Sequence, residues 1–214
     1  MKIVLHRAGR YARSWLLVLL ALLPLLAWAQ PERPARWAQP VAASGLPNLH
    51  LVAPGLYRSA QPEAESQPAL AKLGIRTVLS LRAGRDDSAL EKTNGLALLQ
   101  LPLRTWAVDE NDVLAALRIM TDTQRQPLLV HCKHGADRTG LMIAAYRVVV
   151  QGWNKADALE EMKRGGYGFH PLWRNLERRL LRLDVDKLRA ALAFPTPAVA
   201  GNAAITPAIA PSTR

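Results

Sequence analysis

The stretch VHCKHGADRTG, residues 130–140, contains the only cysteine of the 214-residue chain. Cys132 follows an apolar run that has the length of a buried strand, and a helical pattern begins near Arg138 or Thr139. A loop that curls into a helix N-terminus directs backbone N–H groups at one point and favours an anion there. A thiol at that point is stabilised as the nucleophilic thiolate. We therefore predict that Cys132 is a nucleophile and not a small apolar core residue.

Arg138 and Thr139 have side chains suited to the same reaction centre. The guanidinium of Arg138, six positions after the cysteine, can hold two oxygens of a phosphoryl group at once, which a lysine cannot do. The hydroxyl of Thr139 can donate a hydrogen to the sulfur and ease its departure from a thiophosphate. His131 can add a hydrogen bond beside the thiol. The spacing thus predicts a phosphate site with Cys132 as nucleophile and Arg138 as phosphate clamp.

The loop after the cysteine is the predicted substrate-binding segment. Gly135 stands where this loop needs a backbone conformation closed to residues with a Cβ. Lys133 and His134 either meet the acidic surroundings of a substrate or are simply exposed to solvent. Asp137 either repels a second phosphate near the loop or caps the following helix. The predicted substrate-binding residues are Lys133, His134, Gly135, Ala136, Asp137 and Thr139.

Strand and helix patterns alternate around this loop. Runs of strand length lie at 76–82, 96–103 and 127–132. Helical patterns lie at 63–73, from 113 behind the acidic stretch DEND, and at 139–152, 155–166 and 171–192. The alternation predicts an α/β fold with a central, mostly parallel or mixed sheet flanked by helices. Ligands of such sheets bind outside the carboxyl ends of the strands, which is where Cys132 lies.

The loop matches the pattern HCxxGxxR[ST]G and resembles the signature loop of the cysteine-dependent tyrosine and dual-specificity phosphatases. The similarity extends to GLYRSAQP (55–62), LGIRTVLSLR (73–82) and GGYGFH (165–170), which look like segments of compact bacterial dual-specificity-like phosphatases. The resemblance implies helices on both faces of the sheet and hydrolysis of phosphomonoesters without a metal or another cofactor. It also implies that Cys132 is the nucleophile and Arg138 the phosphate clamp.

The resemblance further implies a carboxylic acid on a neighbouring loop that protonates the leaving group. The acidic cluster AVDEND, residues 107–112, is the best-placed source. Asp109 is the first choice because it lies at the end of the loop, with Asp112 second and Glu110 third. Asp109 is equally suited to cap the helix that follows, and the two roles can coexist.

Several phosphorylated substrates fit this prediction. A protein tyrosine or dual-specificity phosphatase is the leading interpretation, and a phosphoinositide or inositol polyphosphate phosphatase is the alternative. A sulfurtransferase also uses a loop cysteine, but the His-Cys pair and the Arg-Thr ending fit it poorly. A non-catalytic phosphate-binding module would lack an essential group, and none is visibly missing.

The first 29 residues have the pattern of a cleaved export signal. A basic head precedes a short Leu-rich run, and Ala27-Trp28-Ala29 has the small-x-small form of a signal-peptidase site. The alternative is a retained anchor, but the apolar stretch at 15–29, interrupted by Pro24, is shorter than the ~20 residues of a spanning helix. We therefore expect a periplasmic or secreted protein without a stable membrane span.

The composition restricts the partners of the chain. Its formal net charge is +11. The predicted signal holds four of the 28 basic residues and no acidic one, so the remainder keeps a charge of +7. This charge favours phosphorylated, anionic substrates, while the scattered Arg and Lys residues do not form the basic tract expected for nucleic acid. A lone cysteine cannot form an internal disulfide, and we expect a monomer.

Composition also predicts the domain boundaries. Residues 30–47 are a Pro/Ala-rich, extended lead-in, and residues 48–193 are the phosphatase domain. Residues 194–214 are an Ala/Pro tail whose few large apolar groups predict disorder.

Overall fold

The computed structural model describes residues 33–43, 45–84, 87, 90 and 95–193. From Ala35 onward these residues form one unit built on a six-stranded sheet. The strand order is β1-β2-β3-β6-β4-β5. The strands are β1 Gln39–Pro40, β2 His50–Ala53, β3 Leu56–Ser59, β4 Thr77–Arg82, β5 Ala97–Leu103 and β6 Leu128–His131.

The sheet is mixed, as the sequence predicts. β3, β6, β4 and β5 are parallel neighbours, whereas β1, β2 and β3 pair in antiparallel fashion. β6 lies in the middle with all four residues buried, which explains its uninterrupted apolar pattern. In register, His131 lies between Ser59 of β3 and Ser80 of β4. The chain therefore leaves β6 at the centre of the carboxyl edge.

Helices cover both faces of the sheet. One face packs against α1, with Val78 and Leu129 in a cluster with Leu70. The neighbouring strand residues Leu79 and Val130 point to the opposite face and join the larger cluster. That cluster includes the buried sides of the other helices. The helices are α1 Gln67–Lys72, α2 Glu110–Thr121, α3 Asp137–Val149, α4 Lys155–Arg164, α5 Arg174–Arg182 and α6 Val185–Ala193.

The structure differs from the sequence prediction at the C-terminal helix. The pattern at 171–192 predicts one helix, but two helices, α5 and α6, occupy this range. α5 ends at Arg182, and Asp184 accepts a hydrogen bond from the Lys187 N–H at 3.0 Å as an N-terminal cap of α6. The apolar period continues through the break, so periodicity alone did not reveal it.

The N-terminal part of the sheet also differs from the prediction. β2 and β3, four residues each, were not predicted as strands. The described part of the predicted lead-in at 30–47 is joined to the domain, because it supplies β1 and the buried residues Ala38 and Leu46. The predicted export signal at 1–29 and the tail at 194–214 lie outside the described residues. Among the helices that are described, none is long and apolar enough to cross a membrane.

A buried ion pair joins several of these segments. The Arg147 guanidinium of α3 donates to both carboxylate oxygens of Glu161 of α4, at 2.7 and 2.9 Å, and to the carbonyl of Val52 at 3.0 Å. Glu161 also accepts from the Ala38 N–H at 2.6 Å and from the Tyr167 hydroxyl at 2.9 Å. Burial alone would raise the pKa of Glu161, but the Arg147 charge and these hydrogen bonds together lower it.

We expect Glu161→Gln to lower the free energy of unfolding by about 3 kcal/mol at neutral pH, because it leaves the Arg147 charge buried without its counter-ion. The wild-type contribution is complete above the unfolded pKa of about 4.3 and is lost as pH falls through the lower folded pKa. The difference between the two proteins in urea unfolding should therefore shrink in acid. Glu160→Gln, at an exposed neighbour, is the matched control, and a Glu161→Gln protein as stable as this control at pH 7 contradicts the prediction.

Candidate active site

Strand β6 delivers Cys132 to the carboxyl edge of the sheet, and α3 begins five residues later at Asp137. We call residues 132–138 the signature loop. Cys132 is buried, with 2% of its surface exposed. Gly135 has a φ of +69°, and a Cβ at this position would overlap the backbone carbonyl of Ser59 on β3. The turn therefore requires glycine for both its conformation and its close approach to the sheet.

The carbonyl groups of the signature loop are bonded outward. The carbonyl of Lys133 accepts from the Gln61 N–H at 3.2 Å, and that of His134 accepts from the Asn48 side-chain amide at 2.9 Å. The carbonyl of Gly135 accepts from the Arg58 guanidinium at 2.6 Å. In a trans peptide the N–H points opposite to the C=O. The N–H groups that follow these carbonyls therefore face the inside of the loop, where they can bind an anion.

Arg138 is held with one edge of its guanidinium free for a ligand. Its Nη1 donates to the carbonyls of Leu81 and Leu103, at 3.2 and 3.1 Å, where β4 and β5 end. Its Nε is buried and has no hydrogen-bond partner among the described residues, and the same holds for the Thr139 hydroxyl. Buried polar groups left unpaired cost about 1–3 kcal/mol each. A bound phosphoryl group and the Cys132 sulfur are the partners that would satisfy them.

Arg58 of β3 contacts the signature loop, a role that the sequence did not predict. Its side chain is fully buried in β3. Its guanidinium lies 3.5 Å from the Tyr167 ring centroid and donates to the carbonyl of Gly135. Burial lowers the pKa of Arg58 to about 10, while Tyr167, Glu161 and Cys132 favour its charge. Arg58 therefore remains a cation at neutral pH.

Asp87 is a second site residue that sequence reasoning missed. Its carboxylate contacts the ring Nε2 of His131 at 3.1 Å and accepts from the Gln61 side chain at 2.6 Å. Burial alone would raise the pKa of Asp87, but His131 and Gln61 lower it overall. The contact fixes the ring of the fully buried His131 next to the nucleophile. Gln61 is shared, since its carbonyl oxygen also accepts from Arg82 at 3.0 Å.

The remaining polar side chains of the loop differ in their exposure. Lys133 and His134 are exposed. Asp137 is buried and accepts hydrogen bonds from the backbone N–H and the ring Nδ1 of His170, both at 2.9 Å. Polar atoms of His134, Asp137 and His170 lie within 4.8 Å of one another. Asp137 thus holds the 165–170 loop against the signature loop, and the cap residue of α3 is Ala136 instead.

The three candidate acids lie where the β5–α2 loop, residues 104–109, enters α2. The Asp109 side chain accepts from the Asp112 N–H, and the Asp112 side chain accepts from the Asp109 N–H, both at 2.9 Å. Asp109 is therefore the predicted helix cap and remains exposed. Burial raises the pKa of Asp112. Glu110 is bonded to Lys187 of α6 at 2.8 Å, which lowers the Glu110 pKa.

Helix α5 holds the same loop in place. The Asn175 side chain donates to the carbonyl of Thr105 at 2.7 Å, and Arg179 Nε donates to that of Val108 at 3.1 Å. At the start of the loop, the carbonyl of Leu103 is the one that Arg138 binds. The loop is thus fixed at both ends beside the phosphate clamp.

Comparisons with known proteins agree with this geometry. Residues 46–168 match the model of the tyrosine phosphatase family. The chain is 45% identical over 166 residues to the dual specificity protein phosphatase TpbA of Pseudomonas aeruginosa, covering 77% of this chain and 74% of that protein. A crystal structure of P. aeruginosa TpbA superimposes with a TM-score of 0.69 at 43% identity, covering 76% of this chain and all of that one.

A more distant relative is the inositol diphosphatase DSP5 of Arabidopsis thaliana, 31% identical over 151 residues, which cover 67% of this chain and 72% of that protein. The fold and the site define a cysteine-dependent phosphatase. The chain belongs to the tyrosine phosphatase family and is a protein tyrosine or dual-specificity phosphatase.

We expect Cys132→Ser to abolish turnover while the Kd for inorganic phosphate stays within about threefold of the wild-type value, because the N–H groups and Arg138 that bind the anion remain. Steady-state turnover and isothermal titration with phosphate measure the two properties. Turnover by the serine variant near the wild-type rate would contradict the assignment of Cys132 as the nucleophile.

Arg138→Lys should lower kcat/KM by about 100-fold or more, since one point charge replaces a planar guanidinium with two donors on the phosphoryl group. Lysine also cannot hold the carbonyls of Leu81 and Leu103 in the same geometry. Arg118→Lys, on the exposed side of α2, is the matched control and should leave kcat/KM unchanged.

Proposed function

We propose that the chain is an exported phosphatase that acts on phosphotyrosine and related phosphomonoesters of proteins through a cysteinyl-phosphate intermediate. One observation carries the mechanism. The buried Nε of Arg138 and the buried hydroxyl of Thr139 lack partners among the described residues, and both residues lie where the signature loop enters α3. An anion at the centre of the signature loop would satisfy them together with the inward N–H groups.

The reaction proceeds in two displacements. The Cys132 sulfur attacks phosphorus, the bond from phosphorus to the leaving oxygen breaks, and a carboxylic acid protonates that oxygen. Water then attacks the thiophosphate, the sulfur leaves as thiolate, and inorganic phosphate is released. Throughout, Arg138 and the loop N–H groups stabilise the charge on the phosphoryl oxygens. The Thr139 hydroxyl donates to the departing sulfur.

Asp109 is the proposed general acid. It is exposed at the end of the β5–α2 loop. The carbonyl of Leu103, the residue just before this loop, accepts a hydrogen bond from the phosphate clamp Arg138. Glu110 is less suited because Lys187 holds it ionised and directed toward α6. Asp112 has a raised pKa, which suits an acid, but it lies within α2 and is the second choice.

Relatives support a protein substrate. A cysteine-to-serine variant of P. aeruginosa TpbA was crystallised in complex with pTyr, and it superimposes on this chain with a TM-score of 0.68 at 42% identity, over 76% of this chain and 99% of that one. The inositol diphosphatase relative supports inositol phosphates as the second candidate substrate class. A panel of phosphotyrosine, phosphoserine and inositol phosphates, assayed without added metal, ranks the two classes by kcat/KM. Higher values for every inositol phosphate would reverse the order.

Export is supported by the basic head, the short apolar run and the Ala-Trp-Ala site of residues 1–29. We propose a periplasmic or secreted monomer. Fractionation of cells that produce the full chain, followed by N-terminal sequencing and light scattering, tests both points. Protein that stays in the cytosol with Met1 intact contradicts export, and a dimeric mass contradicts the monomer.

We expect Asp109→Asn to slow hydrolysis of phenyl phosphate by about 100-fold but hydrolysis of an activated aryl phosphate by less than about tenfold, because general-acid help matters most for a poor leaving group. The asparagine keeps the capping interaction with the Asp112 N–H, so the melting temperature should change little. Asp122→Asn serves as the control, because the Asp122 side chain also accepts a hydrogen bond from a backbone N–H as a helix cap. Equal losses of rate on both substrates, together with a lower melting temperature, would show that Asp109 only caps the helix. Asp112 would then be the proposed general acid.

A further inference from the structure

Three side chains beside the signature loop can offer ligand atoms to a single metal ion. They are His134 of the loop, Asp137 at the start of α3 and His170 of the 165–170 loop, and their polar atoms all lie within 4.8 Å of one another. The ring centroids of the two histidines are 5.6 Å apart. Two imidazoles and a carboxylate are a donor set that proteins use for Zn²⁺.

The carboxylate of Asp137 is held in a fixed orientation. Its side chain is only 10% exposed, and Oδ1 accepts a hydrogen bond from the His170 N–H at 2.9 Å. Oδ2 lies 2.9 Å from the ring Nδ1 of His170. Carboxylates that bind metals are commonly oriented by a hydrogen bond of this kind from outside the metal. Two of the three donor groups are therefore already side by side.

Asn48 holds together the two loops that carry the donor groups. Its side-chain amide donates to the carbonyl of His134 and to that of Tyr167, each at 2.9 Å. Tyr167 is itself buried in the core, three residues before His170. The backbones that carry His134 and His170 are thus placed before any ligand binds, which lowers the entropy cost of binding.

The ring of His134 completes the set and is free to move. It is exposed and makes no hydrogen bond within the part of the chain that the structure describes. With Zn–N bonds of about 2.0–2.1 Å, the donor atoms of a tetrahedral site lie about 3.3 Å apart. Since no two of the donor atoms are more than 4.8 Å apart, a rotation of this exposed ring brings its nitrogen within range.

The charges around the cluster select among metal ions. Asp137 supplies one negative charge, while Lys133 beside His134 is an exposed cation and the signature loop itself favours an anion. A hard ion such as Mg²⁺ requires oxygen ligands and gains little here. Zn²⁺ bonds well to neutral imidazole nitrogens, so it depends less on the local negative charge.

We propose that His134, Asp137 and His170 bind Zn²⁺, or a divalent ion with the same preference for imidazole, and that this ion joins the 165–170 loop to the signature loop. Each histidine binds through a lone pair of its neutral ring, and a proton displaced from a ligand nitrogen passes to the buffer. Water takes the fourth position. The two displacements at Cys132 do not use this ion.

The test titrates the full chain with Zn²⁺, and separately with Mg²⁺, by calorimetry in a buffer without chelators. His134→Ala and His170→Ala each remove one donor from a different loop. Leu172→Ala is the matched control, because it shortens another exposed side chain two residues after His170 that offers no metal ligand. Cys132→Ser tests whether the thiolate is the ligand instead. Melting temperatures without metal verify that each variant is folded.

We expect the wild type to bind one Zn²⁺ ion and each histidine variant to bind it about tenfold or more weakly, since even the outer partners of metal ligands have effects of that size. Leu172→Ala and Cys132→Ser should stay within about threefold of the wild-type Kd. Zn²⁺ at about 100 times its Kd should raise the wild-type melting temperature by about 5 °C, whereas Mg²⁺ should not raise it.

Four results overturn the proposal. The first is a wild-type protein that does not bind Zn²⁺. The second is an affinity that falls in Cys132→Ser but not in the histidine variants, which assigns the ion to the thiolate. The third is a loss in Leu172→Ala as large as that in His170→Ala, and the fourth is binding of Mg²⁺ as tight as that of Zn²⁺. None of these measurements depends on turnover, so they are independent of the proposed function.

Discussion

The site depends on how the carbonyl groups of the signature loop are held. A loop can bind an anion only if its N–H groups face inward, and this requires that the carbonyls between them find donors on the outside. The donors are Asn48, which lies just before β2, Arg58 of β3 and the N–H of Gln61, which follows β3. Arg58 is the most constrained of the three, because it is fully buried and has Gly135 above it and the Tyr167 ring beside it.

This arrangement connects the phosphate site to the buried ion pair of the core. The ring of Tyr167 contacts Arg58, and its hydroxyl donates to Glu161 at 2.9 Å. Glu161 in turn binds Arg147. The side-chain amide of Asn48 donates to two carbonyls, that of Tyr167 and that of His134, each at 2.9 Å. A continuous set of contacts therefore runs from helices α3 and α4 to the loop.

Much of this could be predicted from the sequence, for specific reasons. The apolar β6 and the 3.6-residue periods report directly on burial, so the mixed α/β fold follows from them. The loop is contiguous, and its cysteine, glycine and arginine have fixed offsets. Arg58, Asp87 and Asn48 were missed because they act through residues far away along the chain, and an arginine in a short strand has no local signature. The same reason applies to β1, which exists only by pairing with β2.

The most direct test of this account measures the affinity of inorganic phosphate for Arg58→Met, in a protein whose folding is verified by circular dichroism. Many protein cores tolerate the replacement of a buried cation by an apolar side chain of similar length. The carbonyl of Gly135 nevertheless loses its donor, so the loop no longer favours the inward N–H arrangement. We expect the Kd for phosphate to rise by about tenfold or more, with partial recovery in Arg58→Lys. A folded Arg58→Met protein that binds phosphate as tightly as the wild type would contradict it.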